Sequence, residues 1–67
     1  MTGKPIYQVI PGTIPVIVFQ DIKWYMRNRS EILEWCKENN ITIDDTLWEI
    51  YLNSIDEATM FKLRFGV

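Results

Sequence analysis

Seven residues, KWYMRNR at Lys23 to Arg29, interleave three cations with two aromatics, and no other stretch of the chain is as well supplied for recognition chemistry. Lys23, Arg27 and Arg29 can contact phosphate, while Trp24 and Tyr25 offer faces on which bases stack. The same residues suit a protein interface, because Trp, Tyr and Arg are the side chains that most often anchor one. Lys23, Trp24, Tyr25, Arg27 and Arg29 therefore form the candidate binding surface. The rest of the chain opposes polyphosphate: the net charge is −2 and the pI near 4.9, whereas a duplex binder is normally basic overall. A small anionic nucleotide needs only a local cationic pocket and fits the sequence better than nucleic acid does.

Charge is segregated along the chain. Residues 1–29 hold four cations against one carboxylate, +3, and residues 30–61 hold one against eight, −7, before Lys62 and Arg64 add +2. A solvated helix with its loops accounts for most of this, and an acidic face for a basic partner, or head-to-tail association, is the functional alternative.

The residue types of catalysis are scarce. There is no His, which removes the commonest general base near neutral pH and the commonest metal ligand. Asp44 and Asp45 are neighbouring carboxylates, but no alternating oxygen-ligand pattern with a central Gly and closing Glu surrounds them, so they read with Thr46 as turn residues. Ser30 and Ser54 have no adjacent base and stand at helix starts. Pro11, Gly12 and Thr13 make a turn without the repeated glycines that wrap phosphate. The single Cys36 cannot form an internal disulfide and reads as a small buried hydrophobe in a reducing compartment. No catalytic residue, metal set or cofactor is expected, and the chain reads as a non-enzyme.

These residues must be positioned by a short chain of 67 residues, one domain, in which three Trp, three Tyr and three Phe give large burial per residue. NRSEILEWCKENN, Asn28 to Asn40, predicts an amphipathic helix with Ile32, Leu33, Trp35 and Cys36 on one face. Asn28 and Glu31 read as a capping box, and Asn39 and Asn40 as the closing residues. Residues 1–5 read as an unanchored tail, Tyr7 to Ile10 as a β-prone piece, and Ile14 to Phe19 as a strand that Pro15 enters. The apolar run Ile6 to Phe19 is interrupted by Pro11, Gly12 and Pro15, so neither a signal peptide nor a membrane span is expected, and the location is cytoplasmic.

From Val16 to Met26 the pattern is ambiguous. Apolar residues at Val16, Val18, Ile22, Trp24 and Met26 have a period of two, while Ile22, Tyr25, Met26 and Arg29 also fit one long helix starting at Asp21. The β-branched and aromatic content and the capping box at Asn28 favour extended structure here. Ile41 to Ile43 opens a hairpin through Asp44, Asp45 and Thr46 into a strand at Leu47 to Asn53, with Trp48, Ile50 and Leu52 on its inner face. Ser54 and Glu57 read as a capping box for a last helix in which Ala58, Phe61 and Phe65 face inward and Gly66 closes the C-terminus.

EWCKENN at Glu34 to Asn40, WEIYL at Trp48 to Leu52 and DEATMFKLRFG at Asp56 to Gly66 resemble the pattern of small uncharacterised proteins of tailed bacteriophages. The resemblance covers about the last two thirds of the chain and implies a setting, a phage accessory protein in a bacterial cytoplasm, rather than a mechanism.

The expected fold is α+β, a small, mainly antiparallel sheet with two helices packed on one face. Trp48, Ile50, Phe61, Phe65, Ile32, Trp35 and Cys36 form its core. Open sheet edges lead us to expect a homo-oligomer, most simply a homodimer. The expected function is to bind and modulate or inhibit a host protein. Sequestration of a small anionic nucleotide between protomers is the first alternative, and nucleic-acid binding through Lys23 to Arg29 the second.

Overall fold

A computed structural model describes residues 5–67, so the expected tail lies, apart from Pro5, outside the described residues. The elements run β1 (Tyr7–Ile10), β2 (Val16–Phe19), α1 (Ile22–Glu38), β3 (Thr42–Asp44), β4 (Glu49–Tyr51) and α2 (Asp56–Phe65). The four strands form one sheet in the order β1-β2-β4-β3 with every neighbouring pair antiparallel. This is a small α+β fold, as the periodicity predicts.

Register decides which side of the sheet is inside. Val9 lies opposite Ile17, Ile17 opposite Ile50 and Ile50 opposite Ile43, a row of β-branched side chains across all four strands, and Tyr7 lies opposite Phe19. Ile17 and Ile50 are fully buried, and Tyr7, Val9 and Ile43 pack against them from the edges. The alternate residues Gln8, Val18, Glu49 and Asp44 share the opposite face, as a period of two requires. Within β2 the buried residues are thus Ile17 and Phe19, not Val16 and Val18, which correct the even-numbered pattern read from the sequence.

The larger correction is α1. Helix begins at Ile22, six residues before Asn28, and residues 22–27 are its first turns rather than a strand. Asp21 is the N-cap: its Oδ1 accepts the Trp24 amide at 3.0 Å, placing a carboxylate at the positive end of the dipole. Asn28 is an interior residue whose Nδ2 donates to the Trp24 carbonyl at 2.9 Å. Once the helix is extended, Tyr25, Ile32, Trp35 and Cys36 form one buried stripe at spacings of seven, three and one. The closing residues are as expected, with Asn40 at φ 54° and the Ile41 amide donating to the Cys36 carbonyl at 2.8 Å.

Helix α2 ends on Gly66 at φ 70°, whose N–H reaches the Lys62 carbonyl at 2.8 Å, a left-handed closure that glycine adopts without strain. Its start differs from the expected Ser54 capping box. Ile55 holds the N-cap position without a side-chain cap bond, while Glu57 reaches back to accept the Asn53 amide at 2.6 Å.

The core is largely aromatic. Phe61, fully buried, meets Tyr7, Trp35 and Phe65 at ring-centroid distances of 5.3, 5.4 and 4.6 Å, and Phe19 at 5.8 Å. Six of the seven expected core residues lie in this cluster or against it, joined by Ile17, Phe19, Tyr25, Ile41 and Leu52. Trp48 is the exception, 39% exposed. Strand β4 starts only at Glu49, and Trp48 sits at φ 54°, a left-handed turn conformation that takes its side chain off the inward row.

Candidate functional site

The long helix redistributes the five residues of the KWYMRNR stretch. Lys23 and Arg27, four apart, are exposed on the outer face of α1. Trp24 is half-buried, its ring 6.1 Å from Phe19, 6.4 Å from Phe61 and 6.2 Å from Phe65, so it seals the gap between the two helices and the end of β2. Tyr25 has no exposed surface and is removed from the candidate surface to the core. A helix turns each residue by about 100°, so five consecutive-looking residues cannot share one face as they would if they alternated along a strand edge.

Arg29 is committed to a structural tie. Its Nε donates to Asp45 Oδ1 and Oδ2 at 3.1 and 3.2 Å, and its Nη2 to Oδ2 at 2.6 Å, while the Tyr25 hydroxyl donates to Oδ1 at 2.5 Å. One carboxylate from the β3–β4 turn thus receives two residues of α1 that lie four apart. The hydrogen bonds from Arg29, then that from Tyr25, hold the Asp45 carboxyl at about 2, below its ordinary 3.8. Burial, then the hydrogen bond to Asp45 and that carboxylate's charge, pushes the Tyr25 phenol up to about 12. Asp45 likewise raises the Arg29 guanidinium. Asp44, next in the chain, accepts the Thr46 and Leu47 amides at 2.9 and 3.1 Å, which is the turn chemistry expected of it. Among the described residues no group of three or more His, Cys, Asp or Glu is placed to hold a metal ion.

This braced turn carries the apolar surface that sequence reading missed. Leu47 is 54% exposed beside Trp48, and Met26, on the outer face of α1 between Lys23 and Arg27, is 59% exposed. The turn and the start of α1 lie at one end of the sheet: Phe19, the last residue of β2, donates its N–H to the Trp48 carbonyl at 2.9 Å, and α1 begins three residues later. The turn offers apolar surface through Leu47 and Trp48, and the outer face of α1 offers Met26 between the cations Lys23 and Arg27. Helical phase would have exposed Met26 to sequence reading had α1 been started at Asp21. Nothing local marks Trp48 as left-handed.

Among the described residues no helix is long and apolar enough to cross a membrane. Compared with protein-family models, curated proteins and solved structures, the chain has no match.

Proposed function

We propose that the chain is a non-catalytic protein-binding module whose contact surface is the end of the sheet that carries Leu47 and Trp48, together with the exposed face of the first turns of α1. The observation that carries this reading is Trp48. A tryptophan in a left-handed conformation costs about 1–2 kcal/mol of backbone strain, a position that Gly or Asn would fill without it. The residue is nevertheless 39% exposed, so part of its large apolar surface stays unburied. Two unfavourable choices at one residue are offset if a partner covers the ring, and tryptophan, with Tyr and Arg, is enriched among the residues that anchor the centres of interfaces. Lys23 and Arg27 supply cations for the rim, steering an acidic surface into place.

In this reading the partner is a protein of the bacterial host, and the protein acts in the host cytoplasm as a phage accessory factor; the setting follows from the phage resemblance alone. The test is affinity capture from host lysate with the parent, Trp48→Gly, and a Lys23→Glu/Arg27→Glu double variant, with thermal melting of each. Expected is one stoichiometric protein captured by the parent and lost from both variants while their melting temperatures stay within a few degrees. Capture that survives Trp48→Gly overturns the surface. Recovery of a stoichiometric nucleotide with no protein would replace this reading by sequestration.

A further inference from the structure

The sheet ends on β1, and the backbone of that edge has a specific pattern. The Gln20 amide donates to the Ile6 carbonyl at 2.9 Å, which fixes the alternation: Ile6, Gln8 and Ile10 turn their peptide groups toward β2, and Tyr7 and Val9 turn theirs outward. No described residue meets those outward groups. At the other edge only Ile43 of the three-residue β3 points outward, and that strand leads into the charged Asp44 and Asp45. Strand β1 carries no charge, no proline and no bulge, the devices by which edge strands resist pairing.

We propose that two copies of the chain pair antiparallel through β1, with Gln8 opposite Gln8 of the partner subunit on the two-fold axis. The prolines select this register. Pro5 and Pro11 lie at the odd, outward positions on either side of Tyr7 and Val9, and neither has an N–H. Sliding the pair so that Tyr7 faces itself leaves the Val9 carbonyl opposite Pro5, without a donor. Sliding it so that Val9 faces itself leaves the Tyr7 carbonyl opposite Pro11, again without a donor. Only with Tyr7 opposite Val9 of the partner subunit, and the reverse, does every outward N–H and C=O of both residues find a partner. The result is an eight-stranded sheet with four new backbone hydrogen bonds.

The side chains agree with that register. An open groove of about 430 Å³ runs along this edge, lined by Pro5, Ile6, Tyr7, Gln8, Val9, Lys62 and Val67. A second β1 brings uncharged Tyr and Val to its apolar wall, whereas a charged strand would have to be desolvated there. Lys62 of each copy covers groove surface with its stem while its ammonium reaches water. This pairing uses a different surface from the Trp48 end, so the two proposals fail independently.

Sedimentation equilibrium at about 100 µM is expected to give twice the 8.0 kDa chain mass, a mass-action state that falls toward the monomer on dilution. Gln8→Lys places two like charges face to face on the axis and is expected to return the mass to 8.0 kDa with an unchanged circular dichroism spectrum. Register is read by cysteine cross-linking. Non-hydrogen-bonded antiparallel pairs bring Cα atoms to about 4.5 Å, within disulfide reach, so Gln8→Cys is expected to oxidise to a covalent dimer and Ile10→Cys is not. Cys36 does not compete, being buried with its thiol pushed up to about 11. A parent that is monomeric at this concentration, or cross-linking stronger at Ile10→Cys than at Gln8→Cys, overturns the proposal.

Discussion

Phe61 and Trp48 show opposite uses of an aromatic ring. Phe61 has no exposed surface and touches rings from β1, β2 and both helices. Phe61→Ala is expected to cost about 3–5 kcal/mol, transfer term and cavity together, against a total of about 3–10 kcal/mol for a domain of this size. Urea titration of the variant should find little or no folded baseline; a midpoint equal to the parent's would mean that α2 presents another face. Trp48→Gly should cost far less. Relief of left-handed strain, about 1–2 kcal/mol, offsets part of the burial lost and of the unfolded-state entropy that glycine adds, so the melting temperature falls by a few degrees while the domain stays folded. Calorimetry showing a loss of ten degrees or more would make Trp48 a packing residue. Both rings occupy apolar positions in periodic sequence, and the period reads Phe61 correctly because α2 is regular throughout. At Trp48 the strand has not yet begun, and alternation cannot register a positive φ.

At the scale of elements, the tie from Asp45 to Tyr25 and Arg29 joins the β3–β4 hairpin to α1. It also explains what was illegible in α1. Twenty residues separate Tyr25 from Asp45, so the reason a tyrosine can be fully buried there, a carboxylate waiting for its hydroxyl, is invisible in any local window. The Asn28/Glu31 spacing mimicked a capping box, and Ile22, Trp24 and Met26 fit a period of two by coincidence, while Asp21 offered an equally good cap farther upstream. The tie has a pH signature of definite sign. Asp45 is held at about 2 against 3.8, so its contribution is present above about pH 4 and is lost as pH falls through 2. Both partners are partly exposed, at 42% and 45%, so the effect is modest and screened by salt. In melting curves taken from pH 6 to 2, Asp45→Asn should remove the part of the acid limb between pH 4 and 2 and leave the slope above pH 5 as it is. Tyr25, raised from 10 to about 12, contributes stability that is complete below pH 10 and lost as pH rises through 12. Tyr25→Phe should therefore flatten the alkaline limb; parallel alkaline limbs would show that the Tyr25 hydroxyl is not held as described.

For the whole molecule the question is whether so small a chain opens in parts or only at once. Its contacts span the sequence: the Tyr7 hydroxyl donates to the Val67 carbonyl at 3.2 Å, Arg64 of α2 lies 3.7 Å from Glu31 of α1, and Phe61 bridges β1, β2 and α1. No cluster within the core is independent of the others, which favours a single cooperative transition. Cys36 is placed to report on it. The residue is 2% exposed on the inner stripe of α1, and burial, then the Glu57 charge, raises its thiol to about 11, so the reactive thiolate is doubly withheld. Labelling of Cys36 by an aromatic disulfide reagent should consequently proceed only through global opening, with a rate that tracks the unfolded fraction as urea is raised below the transition. Its urea dependence should equal the equilibrium slope of the main transition. A smaller slope, or fast labelling in plain buffer, would show that α2 lifts away from the sheet as a separate unit, and the aromatic cluster around Phe61 would then be two cores rather than one.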